Sequence, residues 1–576
     1  MTVESRIIVL KFGSSVLRSE KDLQTAAHEI YRWWRAGRQV VAVVSAFGNT
    51  TDVLTSSAHQ ICDKPDPAAL AALLATGEAA SSALLGIALN RVGIPACVLD
   101  AVQAGLRTEG SGLDTDLIAV DISRLTLELE RSVVVLPGFV GRADNGDISL
   151  LGRGGSDLTA LFLAQRLGAS CLLVKDVDGL YTSDPASATT RASRFTHVSY
   201  QTAARVGGSV VQLKAVKFAE VYRLRFSISS VGAGHETIVG PFNDALAVAE
   251  AKSEPLRVAL LGCGTVGGGV YQRLEALPEL FTIVGVGVRN TERARHEGVP
   301  DSLVTENLFD LVEKHSDVVV ELIGGLEPAS SLITHAQNLG RQVVTANKRL
   351  LASNIELSRS VQGKDVNIRY SAAVGGALPA LERIEQARRV GPIRAISGVL
   401  NGTSNFVLDQ LAAGVPIERA VKIAQDLGYA EVDPQFDLDG TDAAHKLILL
   451  TQAAFGEHLS LTAIHLQGIE QVGTATLNDA QKNRQTVRLV AGCRRVKGRL
   501  EASVAPVSLS SDHPLASVAG VDNRLLIEPE VGDPFVISGK GAGRWPTTEA
   551  VMADLLDLKR ESQSIETIET RGECVA

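Results

Sequence analysis

One segment in the second half of the chain carries a lysine and three carboxylates at a spacing suited to moving a proton. Asp442 and Lys446 are four residues apart at the start of an apolar run, so a helix would place both on one face. Thr441 before them is a residue type that caps helices. Glu431 and Asp437 precede it in an acidic loop. Carboxylates converging on a lysine suit a site that binds an amine and exchanges a proton; a solvated loop with one exposed ion pair is the alternative.

Length and composition limit what can position these residues. A chain of 576 residues exceeds one hydrophobic core and should form three or more domains. The net charge of -9 argues against a nucleic-acid or membrane-surface partner. Six scattered cysteines without metal-ligand spacing indicate reduced thiols in a cytoplasm. We expect no secretory signal and no apolar run near the ~20 residues that span a bilayer.

The first 240 residues alternate apolar strands with helices and end the strands in small-residue loops. The strand Ile7 to Leu10 runs into Lys11, and the strand Val40 to Val44 runs into Ser45. A lysine leaving a strand into such a turn can meet phosphate oxygens. The alternation predicts a parallel sheet with ligands at the carboxyl ends of its strands. Each loop alone could be a plain turn, but similar loops follow at Thr76 to Glu78, Leu151 to Asp157 and Asp176 to Pro185.

Together these loops resemble the catalytic domain of aspartate kinases in the amino-acid kinase family, over about residues 5–240. The resemblance implies an αβα sandwich that uses ATP with Mg²⁺ to phosphorylate aspartate. The residues it implies for aspartate binding are Ser45, Thr51, Glu78 and Arg153. Those for phosphoryl transfer are Lys11 and Asp157, and those for the nucleotide loop are Asp176 and Tyr181.

Two departures put the kinase activity in question. Ala186 stands where the family usually has arginine, and the segment around Ser209 replaces a motif with lysine and histidine. Less positive charge beside a polyphosphate should weaken its binding. Four other cations could substitute: Arg191, Arg194, Lys214 and Lys217. The alternative is a degenerate kinase domain that serves as a scaffold or for oligomerisation.

A second nucleotide signature follows a linker at residues 243–255. The strand Leu256 to Leu261 leads into Gly262-Cys263-Gly264-Thr265-Val266-Gly267 and a helix, the setting that a dinucleotide turn requires. The next strand ends at Arg289, with Arg293 nearby. Arginine at this point favours a 2′-phosphate and hence NADP, although NAD remains possible and either arginine could simply be solvated.

The later motifs, in order, resemble homoserine dehydrogenase over about residues 256–558. The resemblance implies an α/β Rossmann domain with an α+β catalytic and dimerisation domain. It assigns the dinucleotide to Gly262, Gly264, Thr265, Val266, Gly267, Arg289, Asn347 and Gly402. It assigns substrate binding to Glu431, Asp437 and Gly375, and catalysis to Lys446, Lys348 and Asp442. In this hypothesis Lys446 exchanges the proton of the homoserine alcohol, with Lys348 as second candidate, and nearby carboxylates stabilise its protonated form.

Ser371 stands where that family generally has a glutamate that helps bind a monovalent cation. Losing the carboxylate removes an anionic ligand, although the carbonyls of Val374 and Gly376 could remain. We expect a Rossmann domain at 256–375 completed by 535–558, a catalytic domain at 376–534 and a disordered tail at 559–576. The kinase pattern at 1–242 leaves no room before the linker for the regulatory domains that usually follow it.

The hypothesis that best fits these patterns is a bifunctional, cytoplasmic enzyme of amino-acid biosynthesis. It would phosphorylate aspartate and interconvert aspartate 4-semialdehyde and homoserine with NADP(H). We expect a homo-oligomer, either a dimer or a tetramer. The chief rival keeps the dehydrogenase alone, and a purely regulatory protein that senses NADP is a distant third.

Overall fold

The structure is a computed structural model of the chain. It describes residues 5–185, 192–208, 210–247, 254–354, 356–357 and 368–573, with side chains described as far as 562. Ala186, Arg191 and Ser209 therefore lie outside the described residues. The chain divides into two compact units, Met1–Ser253 with Arg560–Ala576, and Glu254–Lys559. The division after residue 253 falls inside the linker expected from the sequence.

The first unit is built on a nine-stranded, mainly parallel sheet with the strand order β13-β10-β12-β11-β9-β1-β2-β6-β3. A four-stranded sheet, β5-β4-β7-β8, lies in the same unit. The strands are β1 (Ile7–Phe12), β2 (Gln39–Val44), β3 (Ala96–Val98), β4 (Arg107–Glu109), β5 (Asp116–Ala119), β6 (Val133–Pro137), β7 (Val140–Arg142), β8 (Ile148–Leu150), β9 (Ser170–Lys175), β10 (Phe195–Ser199), β11 (Phe226–Ser230), β12 (Thr237–Gly240) and β13 (Ala245–Leu246). The helices are α1 (Leu23–Arg35), α2 (Thr50–Ile61), α3 (Pro67–Arg91), α4 (Ile122–Leu129), α5 (Gly155–Leu167), α6 (Tyr200–Val206) and α7 (Leu213–Val221).

The central strands of this sheet are continuous apolar runs because both of their faces are buried. β1 lies between β2 and β9, and Lys11 pairs in register with Val43 and with Leu173. Lys11 is thus inside β1, one residue before its end, where the sequence had suggested that the strand stops at Leu10. This register brings the carboxyl ends of β1 and β9 to the same edge, and with them the side chains of Lys11 and Lys175.

Helix α3 is an exception to the expectation that no apolar run approaches the length of a membrane span. Among the described residues it is the one helix long and apolar enough to cross a membrane by length and composition. Half of its most apolar stretch is buried, and it packs on β6 and β8. Packing within the first unit therefore accounts for its composition.

The second unit contains a six-stranded parallel sheet with the order β16-β15-β14-β17-β18-β19. Numbered within this sheet, the order is 3-2-1-4-5-6, that of a Rossmann fold. Its strands are β14 (Leu256–Leu261), β15 (Phe281–Gly287), β16 (Val304–Thr305), β17 (Val318–Glu321), β18 (Gln342–Thr345) and β19 (Ile368–Arg369). The associated helices are α8 (Thr265–Glu275), α9 (Thr291–His296), α10 (Leu308–Glu313), α11 (Ala329–Asn338) and α12 (Lys348–Ser353).

A second six-stranded sheet, β21-β23-β22-β20-β24-β25, lies in the same unit, and eight helices follow β19 in the described chain, the last of which continues past Lys559 into the residues of the first unit. Its strands are β20 (Ile393–Val399), β21 (Ile464–Leu466), β22 (Gln485–Val496), β23 (Arg499–Ser510), β24 (Asp522–Pro529) and β25 (Phe535–Lys540). The helices are α13 (Ser371–Gly375), α14 (Ala380–Val390), α15 (Gly402–Ala412), α16 (Ile417–Asp426), α17 (Gln435–Leu438), α18 (Thr441–Phe455), α19 (Thr474–Lys482) and α20 (Arg544–Glu573).

Of two expectations for the end of the chain, the first is only partly right and the second is wrong. The segment 535–558 was expected to complete the Rossmann domain, but β25 is an edge strand of the second sheet, paired with β24. Only α20 packs on the Rossmann core, where Val551 and Leu555 join the cluster of Val258 and Val270. The expected disordered tail is also helical as far as Glu573.

Candidate active sites

The glycine turn after β14 borders a cleft of about 300 Å³ in the second unit. Gly262 has a φ of +102°, and a Cβ there would lie 2.7 Å from the carbonyl oxygen of Leu322. A Cβ on Gly267 would meet the Gly262 carbonyl at 2.0 Å, whereas one on Gly264 would meet nothing within 4 Å. The turn thus needs two glycines for its own packing and leaves the third facing open space.

The walls of this cleft suit a dinucleotide. Gly264 lies at the N-terminus of α8, whose first backbone N–H groups favour a pyrophosphate. Arg289 and Arg293 are exposed and line the cleft, and Arg293 Nη2 donates to Thr265 Oγ1 at 3.1 Å. Cationic groups beside the end of β15 are placed where a dinucleotide ribose would lie. Val266, by contrast, supplies a carbonyl that accepts a bond from Thr548.

Glu321, at the end of β17, links this cleft to the next loop. The carboxylate is fully buried and accepts bonds from the Ile323 and Gly324 N–H groups at 3.0 Å and from Thr345 Oγ1 at 2.6 Å. Asn347 then donates to the Gly325 carbonyl at 2.7 Å. The lining of the cleft is therefore connected through a hydrogen-bonded chain to the loop that ends at Lys348.

Beyond that loop, two lysines from different helices share one buried carboxylate. Asp442, at the start of α18, lies 2.9 Å from Lys348 Nζ and 3.1 Å from Lys446 Nζ. The Lys446 ammonium also donates to the Leu400 carbonyl at 2.6 Å. The two lysines differ in access, because the Lys348 side chain is 38% exposed and that of Lys446 is 6% exposed.

The pKa values of the two lysines also shift in opposite directions. The Asp442 carboxylate raises the pKa of Lys348. Burial lowers the pKa of Lys446 despite its contact with Asp442. The sequence had suggested that nearby carboxylates would stabilise protonated Lys446; that expectation is wrong for Lys446 and fits Lys348. Burial is the largest influence on Asp442 and would raise its pKa, yet the two lysines together hold the pKa well below its usual range.

Asn401 completes the polar floor of the cluster. Its Nδ2 donates to Asp437 at 2.6 Å and to Asp442 at 2.9 Å, and its Oδ1 accepts the Ser404 N–H at 2.8 Å to cap α15. Burial raises the pKa of Asp437, and the Asp442 charge raises it further. The Glu431 side chain is exposed but close enough to raise the pKa of Lys348.

One local expectation is corrected here, and two stay predictions. Thr441 is the first residue of α18 rather than its cap, because Gly440 precedes it in the left-handed region and Asp439 accepts its N–H. Gly402 packs against the main chain, since a Cβ would lie 2.6 Å from the Val521 carbonyl. Packing accounts for a glycine at this position, and its predicted role beside the dinucleotide stays a prediction. Gly375 ends the short helix α13, where a Cβ would lie 2.9 Å from that of Leu378.

The first unit has its own pair of lysines on one aspartate. Asp157, in the first turn of α5, lies 2.7 Å from Lys11 Nζ. Lys175, the last residue of β9, donates to the two oxygens of Asp157 at 3.1 and 3.0 Å. Both lysine side chains are 7% exposed and that of Asp157 is 4% exposed. The three charges are thus buried together at the carboxyl edge of the sheet.

The other predicted kinase residues lie around this edge. Burial raises the pKa of Glu78, on α3, to about 7. Ser45 follows β2, and Thr51 lies in the first turn of α2. The Arg153 side chain is exposed.

The nucleotide loop and the nearby cations can also be placed. Tyr181 donates to Asp178 at 2.7 Å, and Asp176 is exposed. Lys214, on α7, reaches the segment before α5. Its ammonium donates to the Leu151 carbonyl at 2.9 Å and to Asp114 at 2.7 Å. Among the open alternatives for a substitute cation, Lys214 is therefore already held by an aspartate. Arg194 donates to the Glu236 carbonyl, and Lys217 is exposed.

Comparison with known proteins agrees with this geometry. A model of the homoserine dehydrogenase NAD-binding domain matches residues 262–370, and a homoserine dehydrogenase model matches 379–556. The homoserine dehydrogenase of Neisseria gonorrhoeae is 34% identical over 318 residues, which cover 53% of this chain and 73% of the relative. The chain belongs to the homoserine dehydrogenase family.

Further comparisons support this membership and identify the first unit. The homoserine dehydrogenase of Corynebacterium glutamicum is 35% identical, over 53% of this chain and 72% of the relative. The crystal structure of a homoserine dehydrogenase from Thiobacillus denitrificans is 35% identical with a TM-score of 0.51, over 54% of this chain and 75% of that one. An amino acid kinase family model matches residues 6–227. The chain is thus a homoserine dehydrogenase fused to an amino-acid kinase domain, an enzyme of amino-acid biosynthesis with a dinucleotide-binding domain.

Ser371, at the expected cation site, is bonded to two acidic side chains from outside that site. Ser371 Oγ donates to the buried carboxylate of Asp554 at 2.8 Å, and its N–H donates to the same group. Glu382 lies 3.5 Å from the same hydroxyl. The hydroxyl that replaces the family glutamate is therefore committed to a protein carboxylate. A monovalent cation at the carbonyls of Val374 and Gly376 stays a prediction, and no step below depends on it.

Sequence reasoning missed three polar residues of this homoserine dehydrogenase and its kinase domain. Lys175 had the same signal as Lys11, a lysine at the end of an apolar strand, but was passed over beside the conspicuous loop that follows it. Glu321 was read as part of a strand end. Asn523 carried no local signal, because its bond to the Leu400 carbonyl at 2.8 Å joins distant parts of the chain.

Proposed function

We propose that the second unit interconverts aspartate 4-semialdehyde and homoserine with NADP(H), and that the first unit phosphorylates aspartate with ATP and Mg²⁺. The observation that carries the first part is the continuous path from the glycine turn through Glu321 and Asn347 to Lys348 and Asp442. It connects a lysine that can carry a proton with a cleft that suits a dinucleotide, which supports the proposal. The family membership supports the substrate.

The lysine cluster can supply the proton of the reduction. A bound nicotinamide dinucleotide would supply the hydride that goes to the aldehyde carbon. Lys348, which is accessible and whose pKa is raised by Asp442, donates a proton to the aldehyde oxygen as it becomes the alcohol. Lys446, anchored on Leu400, keeps Asp442 in place. This reverses the order in which the sequence ranked the two lysines.

The acids at the rim suit the amino end of the substrate. Asp437 is held by Asn401, and Glu431 is exposed at the mouth of the cluster. Carboxylates so placed can bind the ammonium group of homoserine or of the semialdehyde. The amino acid would then be held at one end while its C4 carbon lies against Lys348.

The preference for NADP depends on two arginines. Arg289 and Arg293 line the cleft beside the end of β15. Glu327 is the acid among the described lining residues, and Glu292 and Glu297 line the adjoining pocket that shares Arg293. Arg544 Nη1 donates to the Glu297 carboxylate at 2.9 Å. Because this carboxylate is already bonded to an arginine, it is less available to accept a hydrogen bond from a ribose hydroxyl. A 2′-phosphate is therefore favoured over a free hydroxyl.

For the first unit, the proposal depends on the buried cations at the strand ends. The phosphoryl group passes from ATP to the side-chain carboxylate of aspartate, so that a bond from phosphorus to a carboxylate oxygen forms as the bond to the β–γ bridging oxygen breaks and ADP leaves. No proton is transferred, and the protein's task is to hold and neutralise the phosphates. Lys11 is placed for this, since a Cβ on Gly13 would lie only 2.7 Å from its ammonium.

One assay tests the dehydrogenase. We expect homoserine-dependent reduction of NADP that falls at least a hundredfold in Lys348→Ala, because the proton carrier is lost. Lys422→Ala is the matched control, since Lys422 is an exposed lysine paired with Asp426 on the same unit. Activity in Lys348→Ala equal to that of the control would refute the assignment.

A second assay tests the kinase against the scaffold alternative. Aspartate-dependent release of ADP that disappears in Lys11→Ala supports the kinase. Its absence from the unaltered chain at high aspartate and ATP would leave the dehydrogenase as the sole activity. A dimer or tetramer and a cytoplasmic location stay predictions, to be checked by light scattering and fractionation.

A further inference from the structure

Lys175 is a buried cation whose presence the fold alone does not require. Asp157 already has a partner in Lys11, at 2.7 Å. Lys175 adds a second ammonium on the same carboxylate and shares its Oδ1 with Lys11. Placing two like charges on one buried acid is costly unless a further anion joins them.

The charge balance at this edge is positive. The charged groups that act on Lys175 are Lys11 on β1 and Asp157 on α5. Glu78, which acts on Lys11, has its pKa raised to about 7 by burial and is thus partly neutral near that pH. Burial and the neighbouring Lys11 charge lower the pKa of Lys175 to about 8. Two ammonium groups against one full carboxylate leave an excess of positive charge.

The surroundings of the cluster point to a phosphate as the missing anion. The glycine turn after Lys11 borders the cluster, since a Cβ on Gly13 would lie 2.7 Å from the Lys11 ammonium. Asp157 lies in the first turn of α5, which begins directly after Gly154. Main-chain N–H groups at such turns bind phosphate oxygens. A divalent ion or an amine would be repelled by the two lysines.

We propose that Lys175, together with Lys11, binds the phosphoryl group of the nucleotide that is transferred, with Asp157 holding the two ammonium groups in position. This inference rests on the proposed kinase function of the first unit. Charge spreads over the equatorial oxygens of the phosphoryl group as it moves from the β–γ bridging oxygen to the carboxylate of aspartate. One lysine then serves the entering side and the other the leaving side, and neither gains or loses a proton.

The test compares three variants of the full chain with the unaltered enzyme. Lys175→Met removes the charge with little change in size, and Lys175→Arg retains it. Arg131→Met removes an exposed charge before β6, at the opposite end of the strands. Thermal unfolding of each preparation checks that the first unit is folded, because the dehydrogenase rate reports only on the second unit.

Two readouts are measured, calorimetric binding of the magnesium complex of β,γ-imido-ATP and the aspartate-dependent release of ADP. In Lys175→Met we expect analogue affinity to fall at least tenfold and kcat to fall about a hundredfold or more, with the KM for aspartate little changed. Lys175→Arg should regain part of both losses. Arg131→Met should match the unaltered enzyme.

Other outcomes separate this inference from the kinase proposal. Unchanged analogue affinity and kcat in Lys175→Met, or a change confined to the KM for aspartate, would overturn the role of Lys175 while leaving the kinase intact. If the unaltered chain binds the analogue but releases no ADP, the kinase proposal is refuted. If in that case Lys175→Met loses the analogue and Arg131→Met keeps it, Lys175 is still upheld as a phosphate ligand. No analogue binding by the unaltered chain would overturn both.

Discussion

The two units of this enzyme use the same three charges, two lysines on one buried aspartate, in different ways. In the kinase domain Lys11 and Lys175 are equally buried on Asp157. In the dehydrogenase Lys348 is accessible while Lys446 is buried under Asp442. The first cluster is symmetric in access and the second is not.

That difference corresponds to two kinds of chemistry. Two equivalent, buried cations can neutralise a multiply charged phosphate from both sides, and no proton needs to move. An accessible lysine whose pKa is raised, next to a buried one whose pKa is lowered, fits the proposal that Lys348 carries a proton and Lys446 does not. In these two proposals, exposure distinguishes sites whose residue types are the same.

The largest expected effect comes from removing the shared carboxylate of the asymmetric cluster. Asp442→Asn leaves Lys446 buried with one carbonyl partner and removes the main cause of the raised pKa of Lys348. We expect dehydrogenase activity to fall about a thousandfold, within the range of lost acid–base catalysis. Breaking the buried pair should also cost about 3–5 kcal/mol of unfolding free energy.

Enzyme kinetics and denaturant unfolding of the same samples measure both effects. Asp426→Asn, an exposed aspartate paired with Lys422, is the control and should change neither. If Asp442→Asn kept more than a tenth of the activity, the two lysines would not depend on the carboxylate and the comparison between the units would fail.

The asymmetry itself is tested by pH. A proton donor must be protonated, so semialdehyde reduction should slow as pH rises through the raised pKa of Lys348. In Lys446→Gln the rate is lower but this alkaline decline persists, because Lys348 still titrates. In Lys348→Gln the residual rate lacks it. A decline that vanished in Lys446→Gln instead would exchange the two roles.

The sequence predicted the parts of this comparison that depend on local spacing. The strand Leu256–Leu261 and the pairing of Asp442 with Lys446 follow from apolar runs and an i,i+4 interval. It could not predict that Lys175 reaches Asp157, because that contact depends on which strands are neighbours in the sheet. It also misjudged the pKa of Lys446, since burial is set by packing from distant segments and here outweighs the nearby charge.

A smaller effect concerns the acid beside the symmetric cluster. Burial raises the pKa of Glu78 to about 7, so folding favours its protonated form. Its contribution to stability is present below its ordinary pKa and is lost as pH rises toward 7. Glu78→Gln should therefore stabilise the first unit at pH 8 by about 2 kcal/mol, with a smaller gain at pH 5.

Thermal unfolding at both pH values measures this gain, with Glu109→Gln, at an exposed glutamate, as the control. Equal gains at the two pH values would contradict a buried, titrating Glu78.

The smallest effect separates how the two units bind phosphate. In the dehydrogenase, Arg293 is an exposed cation at the rim of the cleft, and its guanidinium donates to Thr265 Oγ1 at 3.1 Å. Arg293→Ala should raise the KM for NADP about tenfold and leave that for NAD nearly unchanged, because one exposed charge-assisted bond to a 2′-phosphate contributes about 1.5 kcal/mol. Arg295 is an exposed arginine on the same helix as Arg293 and is paired with Asp301. Arg295→Ala should change neither KM. An equal rise for both cofactors would mean that Arg293 shapes the cleft rather than reading the phosphate. In that case Arg293 would not distinguish NADP from NAD. The two units would then not differ in the way proposed here, with an exposed arginine that selects a cofactor in one and buried lysines that neutralise a phosphate in the other.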